Sequence, residues 1–454
     1  MKGGQAGLNG AGKLRPHGHS DPSTSRLAEP LARRQSTLPG VRRPFLRIAL
    51  LGGFLALGAA LPELSHESFE EDFQFAWRQI GSTYAYFDQK ATRWSDVPRL
   101  YAADLARVRN KRELIELLER VVDELYDPHA QLTVNTPTSP RLVPSGADLW
   151  AEWRADEAVI TEVRVASDAM RAGIRPGAVV LRLNGVPIAE AVSARMGRSY
   201  SHSEAAARDW ALRAVLAGTH DAPRTLVLRE GDARRTMELS ARDQSWERPA
   251  AAVTHSEPQP GIGYIRFHDS LGDAAAVTAF DQALAALRDT RALVVDLRDT
   301  PSGGNSSVAR GVLGRFVRRE AAYQKHALPS EERETGIHRS WLELVSPRGG
   351  FVYERPVAVL VDHWTGSMGE GLAIGFDGTG RGTVIGTPMA GLLGATYRVT
   401  LPKTGIGVNV PTERLYHVRG TPREEFRPAV PVDLTSAGSD ADPILAAALR
   451  FLAK

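Results

Sequence analysis

The stretch that most constrains the fold is residues 357–376, VAVLVDHWTGSMGEGLAIGF. The apolar run 357–361 predicts a buried strand, and after a short turn at 363–366 an apolar segment predicts a helix that Ser367 opens. Such a turn holds a serine at the edge of a sheet, with backbone amides directed toward whatever its hydroxyl attacks. The geometry suits a nucleophile beside an oxyanion hole.

A second interpretation of the same serine is structural. Ser367 followed by Glu370 three residues later has the spacing of a capping box, in which each side chain bonds a backbone amide of the first helical turn. From this stretch alone both interpretations stay open.

Another strand-to-helix turn lies at residues 296–304, DLRDTPSGG. Gly303 and Gly304 leave backbone amides bare, which predicts an anion or oxyanion site. A flexible connection is the alternative for the glycines, and Asp296 and Arg298 have the spacing to pair with each other.

From residue 261 onward, apolar strand and helix patterns alternate. This alternation predicts a mainly parallel α/β layer with an antiparallel tail. The predicted strands are 263–268, 293–297, 357–361 and 382–386, the helices begin at Asp273, 303, Ser367 and 441, and residues 328–350 are predicted to be a loop.

Residues 65–132 have a helical pattern instead. Phe69, Phe73 and Trp77 recur at intervals of four and predict one apolar helix face, and residues 111–125 repeat the pattern. Because a proline disfavours helix at the residue before it, the sequence Asp-Pro-His that follows places His129 on an irregular turn at a helix end.

Residues 145–243 consist of short strand patterns. The sequence AGIRPGAVVLRLNGVPI at 172–188 resembles a PDZ domain, a module that binds extended peptides at a sheet edge. Two positions depart from that family: Ala178 replaces its usual aspartate, and Asp148 lies in the loop that would receive a chain terminus and would repel its carboxylate.

The net charge of +3 conceals two different regions. Residues 1–60 contain nine Lys/Arg and two Asp/Glu, or +7, which leaves 3 − 7 = −4 for the rest of the chain. A mildly acidic body gives no indication of a nucleic-acid surface. The chain has no cysteine, which excludes disulfides, thiolate metal sites and a cysteine nucleophile.

The pattern of residues 41–63 predicts an export signal. Arg42, Arg43 and Arg47 flank an apolar core at 48–60, a pattern typical of a signal peptide and similar to a twin-arginine signal. An uncleaved membrane anchor at residues 46–61 is the alternative. Both place the body outside the cytoplasm, in a periplasm.

Taken together, residues 65–450 resemble the carboxyl-terminal processing and tail-specific serine peptidases of the tricorn-core clan. The strongest marks are residues 263–304 and 357–391. The resemblance implies a crotonase-like (ClpP-like) α/β core with an N-terminal helical segment and an inserted PDZ-like β domain.

The resemblance also implies roles for residues. Ser367 stands at the position of the nucleophile, and the amides of Met368 and of Gly303 or Gly304 would form the oxyanion hole. One branch of the family activates its serine with a lysine, but Leu392 stands at that position here.

The tricorn-like branch uses a histidine and a glutamate instead. His129 fits the first place and Glu424 or Glu425 the second. A neutral imidazole can take the serine proton and a carboxylate can fix its tautomer. His363, four residues before Ser367, is the rival base.

The predicted organisation is a disordered leader and export signal at 1–60, a helical segment at 61–144, a PDZ-like domain at 145–243 and a peptidase core at 244–454. The predicted activity is hydrolysis of unfolded or C-terminal polypeptide segments through a Ser-His-Glu acyl-enzyme mechanism, with no metal, no cofactor and no nucleic-acid partner. A non-catalytic peptide- or ligand-binding protein on the same fold is the alternative, followed by an acyl-CoA enzyme. Oligomeric state and substrate preference stay open.

Overall fold

The computed structural model describes residues 64–241, 250–434 and 442–454. The predicted leader and export signal lie outside these residues. The described chain contains three sheets and the helices that cover them, and the predicted α/β class is confirmed.

The N-terminal helical segment leads into the first strand. Its elements are α1 (His66–Thr83), α2 (Val97–Leu105), α3 (Lys111–Val122), the short 3-10 turns Phe87–Gln89, Trp94–Asp96 and Asp123–Leu125, and β1 (Gln131–Leu132). Ser65 and Asn110 cap α1 and α3 by accepting backbone N–H groups, which fixes where these helices begin. The predicted apolar faces are buried together in one cluster.

A second sheet follows, and all of its pairings are antiparallel. Its elements are β2 (Leu149–Arg154), β3 (Glu157–Val163), α4 (Asp168–Arg171), β4 (Val179–Leu183), β5 (Val186–Pro187), α5 (Ile188–Arg195), α6 (Ala205–Ala217), β6 (Arg224–Glu230) and β7 (Ala233–Leu239). The strand order is β2-β3-β4-β6-β7, with β5 also paired to β4. Strands β6 and β7 form a hairpin around Gly231 and Asp232.

The central sheet carries the strand-to-helix turns. Its elements are β8 (Val253–Gln259), β9 (Ile262–Phe267), α7 (Ala275–Ala286), β10 (Ala292–Asp296), α8 (Ser306–Leu313), β13 (Val357–Val361), α10 (Met368–Gly378), β14 (Thr383–Gly386), β17 (Val430–Pro431) and α11 (Pro443–Leu452). The order is β17-β14-β13-β10-β9-β8, parallel except for β8.

Both faces of the central sheet are buried. Val357, Val359 and Val361 of β13 belong to the apolar cluster that includes residues of α7, α8 and α10, whereas Ala358 and Leu360 belong to the cluster that includes α11. Because the parallel strands are covered on both faces, their sequences are continuous apolar runs.

A third, antiparallel sheet completes the chain. It contains β1 together with β11 (Ala321–Ala327), β12 (Ser340–Val345), β15 (Ala395–Thr400) and β16 (Gly407–Tyr416), and α9 (Pro329–Thr335) connects β11 to β12. The predicted loop at 328–350 is therefore wrong, since this stretch holds a helix and a strand. The helix predicted from residue 303 begins at Ser306, because the glycines before it form a turn.

Candidate active site

Ser367 lies between β13 and α10 in a strained backbone conformation. Its φ is +51° and its ψ is −111°, a region that residues other than glycine rarely adopt. The Glu370 carboxylate accepts the Ser367 N–H at 2.8 Å, which is one half of the predicted capping box. The side chain of Ser367 is half-buried, at the carboxyl edge of the parallel strands.

The glycine turn packs directly against this serine. Gly303 has φ +66°, and a Cβ added there would lie 2.4 Å from the Ser367 Cβ, 2.9 Å from its Oγ and 3.0 Å from the Met368 nitrogen. Only a glycine permits this approach. The two turns that the sequence singled out therefore meet at one point of the fold.

The amides of this region are not equivalent. The Gly303 N–H donates to the Thr300 carbonyl at 3.0 Å, so the prediction that both glycine amides are bare is wrong for Gly303. The N–H groups of Gly304 and Met368 make no hydrogen bond within the described parts of the chain. These two amides are the available donors for an oxyanion.

His129 lies in the turn after the helical segment, as predicted. Its Nδ1 lies 2.7 Å from the Leu393 carbonyl, and because a carbonyl only accepts, Nδ1 carries the proton and Nε2 keeps a lone pair. Burial, aided by the Arg423 guanidinium, lowers the pKa of His129 to about 4. The imidazole is therefore neutral near pH 7, as a general base must be.

A buried aspartate holds this turn in place. Asp127 accepts the His129 N–H at 2.9 Å and the Tyr84 hydroxyl at 2.8 Å. The helical segment ends at Leu125, where Tyr126 adopts the left-handed region, and Pro128 disfavours a helical conformation at Asp127. The backbone at His129 is thus tied to α1 and its C-cap.

A buried ion pair connects the serine to the histidine side of the site. The second oxygen of Glu370 accepts the Gly391 N–H at 2.9 Å, and Arg423 lies 3.7 Å from the Glu370 carboxylate. Arg423 also donates to the carbonyls of Leu392 and Gly394, both at 2.8 Å. Residues 391–394 are therefore fixed from both sides around the carbonyl that binds His129.

Both members of this pair are buried, Glu370 at 0% and Arg423 at 1% exposure. Burial raises the pKa of Glu370 to about 7, against the opposing effect of Arg423. The sequence predicts Glu370 only as a helix cap and does not single out Arg423. The one indication of Arg423 in the sequence is its position next to the candidate Glu424.

The two candidate glutamates differ in burial. Glu425 is exposed, whereas one carboxylate oxygen of Glu424 is buried without a hydrogen-bond partner among the described residues. Burial raises the pKa of Glu424, and the Glu424 charge adds to burial in raising the pKa of Tyr86. Glu424 therefore faces the interior on the side of the site that contains Tyr86.

His363, the rival base, contacts the second sheet. Its Nδ1 binds the Glu162 carboxylate of β3, and its ring stacks on Trp150 with 4.4 Å between ring centroids. Within the described residues neither His363 nor His129 forms a hydrogen bond to the Ser367 hydroxyl.

No arrangement of three or more His, Cys, Asp or Glu side chains that could hold a metal ion occurs within residues 64–241, 250–434 and 442–454. In the same ranges no helix combines the length and apolar character required to cross a membrane.

Comparison with known sequences decides the family. Residues 261–432 match the profile of peptidase family S41, and residues 65–123 match the tricorn protease C1 domain. The first match contains both strand-to-helix turns, and the second contains the helical segment that precedes His129. The chain contains a peptidase family S41 domain. It is a serine-type peptidase.

Solved structures agree with the S41 fold. The photosystem II D1 C-terminal processing protease is 20% identical over 84% of this chain and 96% of its own, with a TM-score of 0.52. Mature CPAF in complex with lactacystin is 15% identical over 86% and 97%, with a TM-score of 0.55. A putative peptidase from Parabacteroides merdae is 16% identical over 86% and 98%, with a TM-score of 0.50. At these identities the likeness establishes the fold of the S41 chain and nothing finer.

Proposed function

We propose that this S41 peptidase is an exported endopeptidase that hydrolyses unfolded or C-terminal segments of polypeptides through an acyl-enzyme formed at Ser367. The observation that carries the proposal is the contact between Gly303 and Ser367, which places the serine hydroxyl between two turns with unbonded amides. This is the arrangement that stabilises a tetrahedral oxyanion.

In the proposed mechanism His129 acts as general base and then as general acid. Ser367 Oγ attacks the substrate carbonyl carbon while its proton passes to His129 Nε2, and the amides of Met368 and Gly304 receive the carbonyl oxygen as it becomes negative. The proton then passes to the leaving amine as the C–N bond breaks, and water hydrolyses the resulting ester by the same steps.

Glu424 is the better candidate for the third member of the triad than Glu425, since it is the buried one. The Leu393 carbonyl already orients Nδ1 of His129. A carboxylate at Glu424 would therefore act through its charge, by stabilising the imidazolium that forms during attack.

We infer that residues 145–243 form a PDZ-like domain, between a helical segment at 61–144 and a peptidase core at 244–454. Asp148, the departure noted in the sequence, is neutralised by Arg224 through two hydrogen bonds of 2.7 and 2.9 Å in the interior. This arginine is occupied and does not offer its charge to a chain terminus. We therefore propose that the domain contacts the extended backbone of a substrate rather than its terminal carboxylate.

Export to a periplasm is proposed from the leader pattern at residues 41–63. The proposal is tested by following the size and location of the protein in cells with Arg42 and Arg43 replaced by Lys. A cytoplasmic precursor in the variant supports twin-arginine export, and an unchanged mature product contradicts it.

The catalytic proposal is tested by cleavage of an unstructured casein-like substrate by the purified protein and its Ser367→Ala, His129→Ala and His363→Ala variants. We expect cleavage by the parent and by His363→Ala, and none by the other two. Equal activity of parent and Ser367→Ala would refute the nucleophile. Loss of activity in His363→Ala alone would transfer the base to His363.

A binding protein on the same fold is the second candidate, favoured by the unmade hydrogen bond between Ser367 and His129. A fluorophosphonate probe separates the two candidates, because covalent capture at Ser367 requires an activated serine. Absence of both capture and cleavage would favour the binding protein.

A further inference from the structure

Strand β3 and the residue after it carry two buried charged side chains that contact the turns of the central sheet. Glu162 is the penultimate residue of the strand and Arg164 follows its end. They are 4% and 7% exposed. Since burying a charge is costly unless it is paired, the partners of these residues indicate what their burial achieves.

Arg164 contacts both turns of the site. Its Nη2 donates to Asp299 at 3.2 Å, in the turn that leads to Gly303, and its guanidinium carbon lies 6.0 Å from the ring centroid of Trp364, in the turn that leads to Ser367. Its Nη1 donates to the Ser145 carbonyl at 3.1 Å, which ties it to its own domain.

The Asp299 carboxylate is prepared for this contact. Burial alone would raise its pKa, but His268, Arg164 and Arg266 lower the pKa of Asp299 below its ordinary value. The carboxylate is therefore ionised near neutral pH and faces a guanidinium, which also keeps its charge, since burial lowers the pKa of Arg164 only to about 10.

Glu162, on the same strand, binds the turn that leads to Ser367. Its carboxylate binds the His363 ring and accepts the Thr387 hydroxyl at 3.1 Å. The next residue of that turn, Trp364, donates its indole N–H to the Ala147 carbonyl at 2.8 Å. The turn before the serine is thus bound to the second sheet at two successive residues.

The two turns are also joined at their bases. The Gly366 N–H donates to the Thr300 carbonyl at 3.3 Å, and Thr365 donates its hydroxyl to the Leu297 carbonyl at 3.1 Å. Arg164 adds a further connection between the two turns, through Asp299 of the first and Trp364 of the second.

We propose that Arg164, supported by Glu162, is a positioning residue that sets the separation of the two turns and thereby of the two oxyanion amides. The inference rests on the proposed function of those amides. The planar guanidinium can bond a carboxylate and stack on an indole at once, whereas the ammonium group of a lysine can do only the first.

The test compares Arg164→Met and Arg164→Lys with the parent, with Ser367→Ala and with a matched control, Arg154→Met, whose arginine is exposed on the neighbouring strand β2. For Arg164→Met we expect kcat on a casein-derived fluorogenic peptide to fall about 10- to 100-fold, because a displacement of about 1 Å costs on this order. KM should change less than about two-fold, and Arg164→Lys should recover part of kcat. Arg154→Met should match the parent.

The outcomes separate the two proposals. A parent no more active than Ser367→Ala overturns the proposed function and the positioning role with it. An active parent matched in kcat by folded Arg164→Met overturns the positioning role alone, as does an effect confined to KM. If Arg164→Met does not fold, the isosteric Asp299→Asn carries the same expected loss of kcat, and parental kcat in it overturns the role.

Discussion

Gly303→Ala is the substitution for which the structure makes the sharpest prediction. The added methyl group would lie 2.4 Å from the Ser367 Cβ and 2.9 Å from its Oγ. Carbon atoms that are not bonded pack at about 3.5–4.0 Å, so one of the two turns has to move by at least about 3.5 − 2.4 = 1.1 Å. The movement occurs at Ser367, the proposed nucleophile.

Two separate costs follow from this change. The backbone at Gly303 has φ +66°, and an alanine in the left-handed region costs about 1 kcal/mol in the free energy of unfolding. The displacement of Ser367 from the amides acts on turnover instead, and a misplacement of about 1 Å reduces kcat about 100-fold.

Gly380→Ala is the matched control. Gly380 has φ +67°, and a Cβ there would meet nothing within 4 Å. In chemical denaturation we expect both variants to lose about 1 kcal/mol of unfolding free energy, because both place an alanine at a positive φ. Gly303→Ala should lose more, because its methyl group also overlaps Ser367. Only Gly303→Ala should lose kcat and react slowly with a fluorophosphonate probe. Parental kcat in Gly303→Ala would refute the proposed proximity of the glycine turn and the nucleophile.

Three further predictions concern buried polar groups. Glu370→Gln directs an NH₂ group at one of the two amides that the carboxylate accepts, so unfolding should become easier by about 1–3 kcal/mol and kcat should fall; two unchanged values would contradict those bonds. Arg224→Met leaves a buried aspartate unpaired and should cost about 3–5 kcal/mol in denaturant titration, whereas a negligible loss would contradict the pair. Burial alone would lower the pKa of His326, but hydrogen bonds to Glu343 and Glu413 raise it. Its stabilising contribution is therefore full below the unfolded pKa of about 6.5 and is lost as pH rises through the folded pKa. In His326→Gln the unfolding free energy should fall less than in the parent as the pH rises above neutrality. Parallel plots of unfolding free energy against pH for parent and variant would refute this contribution of His326.

The local elements that the sequence predicted well are those whose burial is uniform. Residues 357–361 form a strand with the predicted bounds and are buried along its whole length, since a short apolar run next to turn residues has few other ways to be buried. The turn at His129 was also predictable, because the restriction imposed by proline is local.

The loop prediction for residues 328–350 was wrong because this segment is not uniformly buried and has no continuous apolar run. Its polar and Gly/Pro-rich composition is typical of a loop, yet it contains α9 and the edge strand β12. Along β12 the side chains of Leu342 and Leu344 are exposed while Val345 is buried. Pairing with β11 determines this strand, and a pairing partner outside the segment leaves no signal within it.

The contacts of the site span long sequence separations, which limits what a motif can predict. His129 binds a carbonyl 264 residues away, and Arg164 binds a carboxylate 135 residues away. Resemblance to a family supplied Ser367 and His129 as candidates. It did not supply Arg423 or the raised pKa of Glu370, because both depend on which side chains are buried together.

Leu392 stands where one branch of the resembled family has its lysine, and it lies in the segment that binds His129. Its side chain is buried, with one methyl 3.3 Å from the position that a Cβ would take at Gly366, and its carbonyl accepts Arg423. A side chain so placed has no group that can take a proton from Ser367. The next carbonyl along the loop fixes the tautomer of His129. The segment that has no lysine is thus the segment that orients His129. A lysine introduced at Leu392 would place a second cation near Arg423, and Arg423 already disfavours the protonated form of His129.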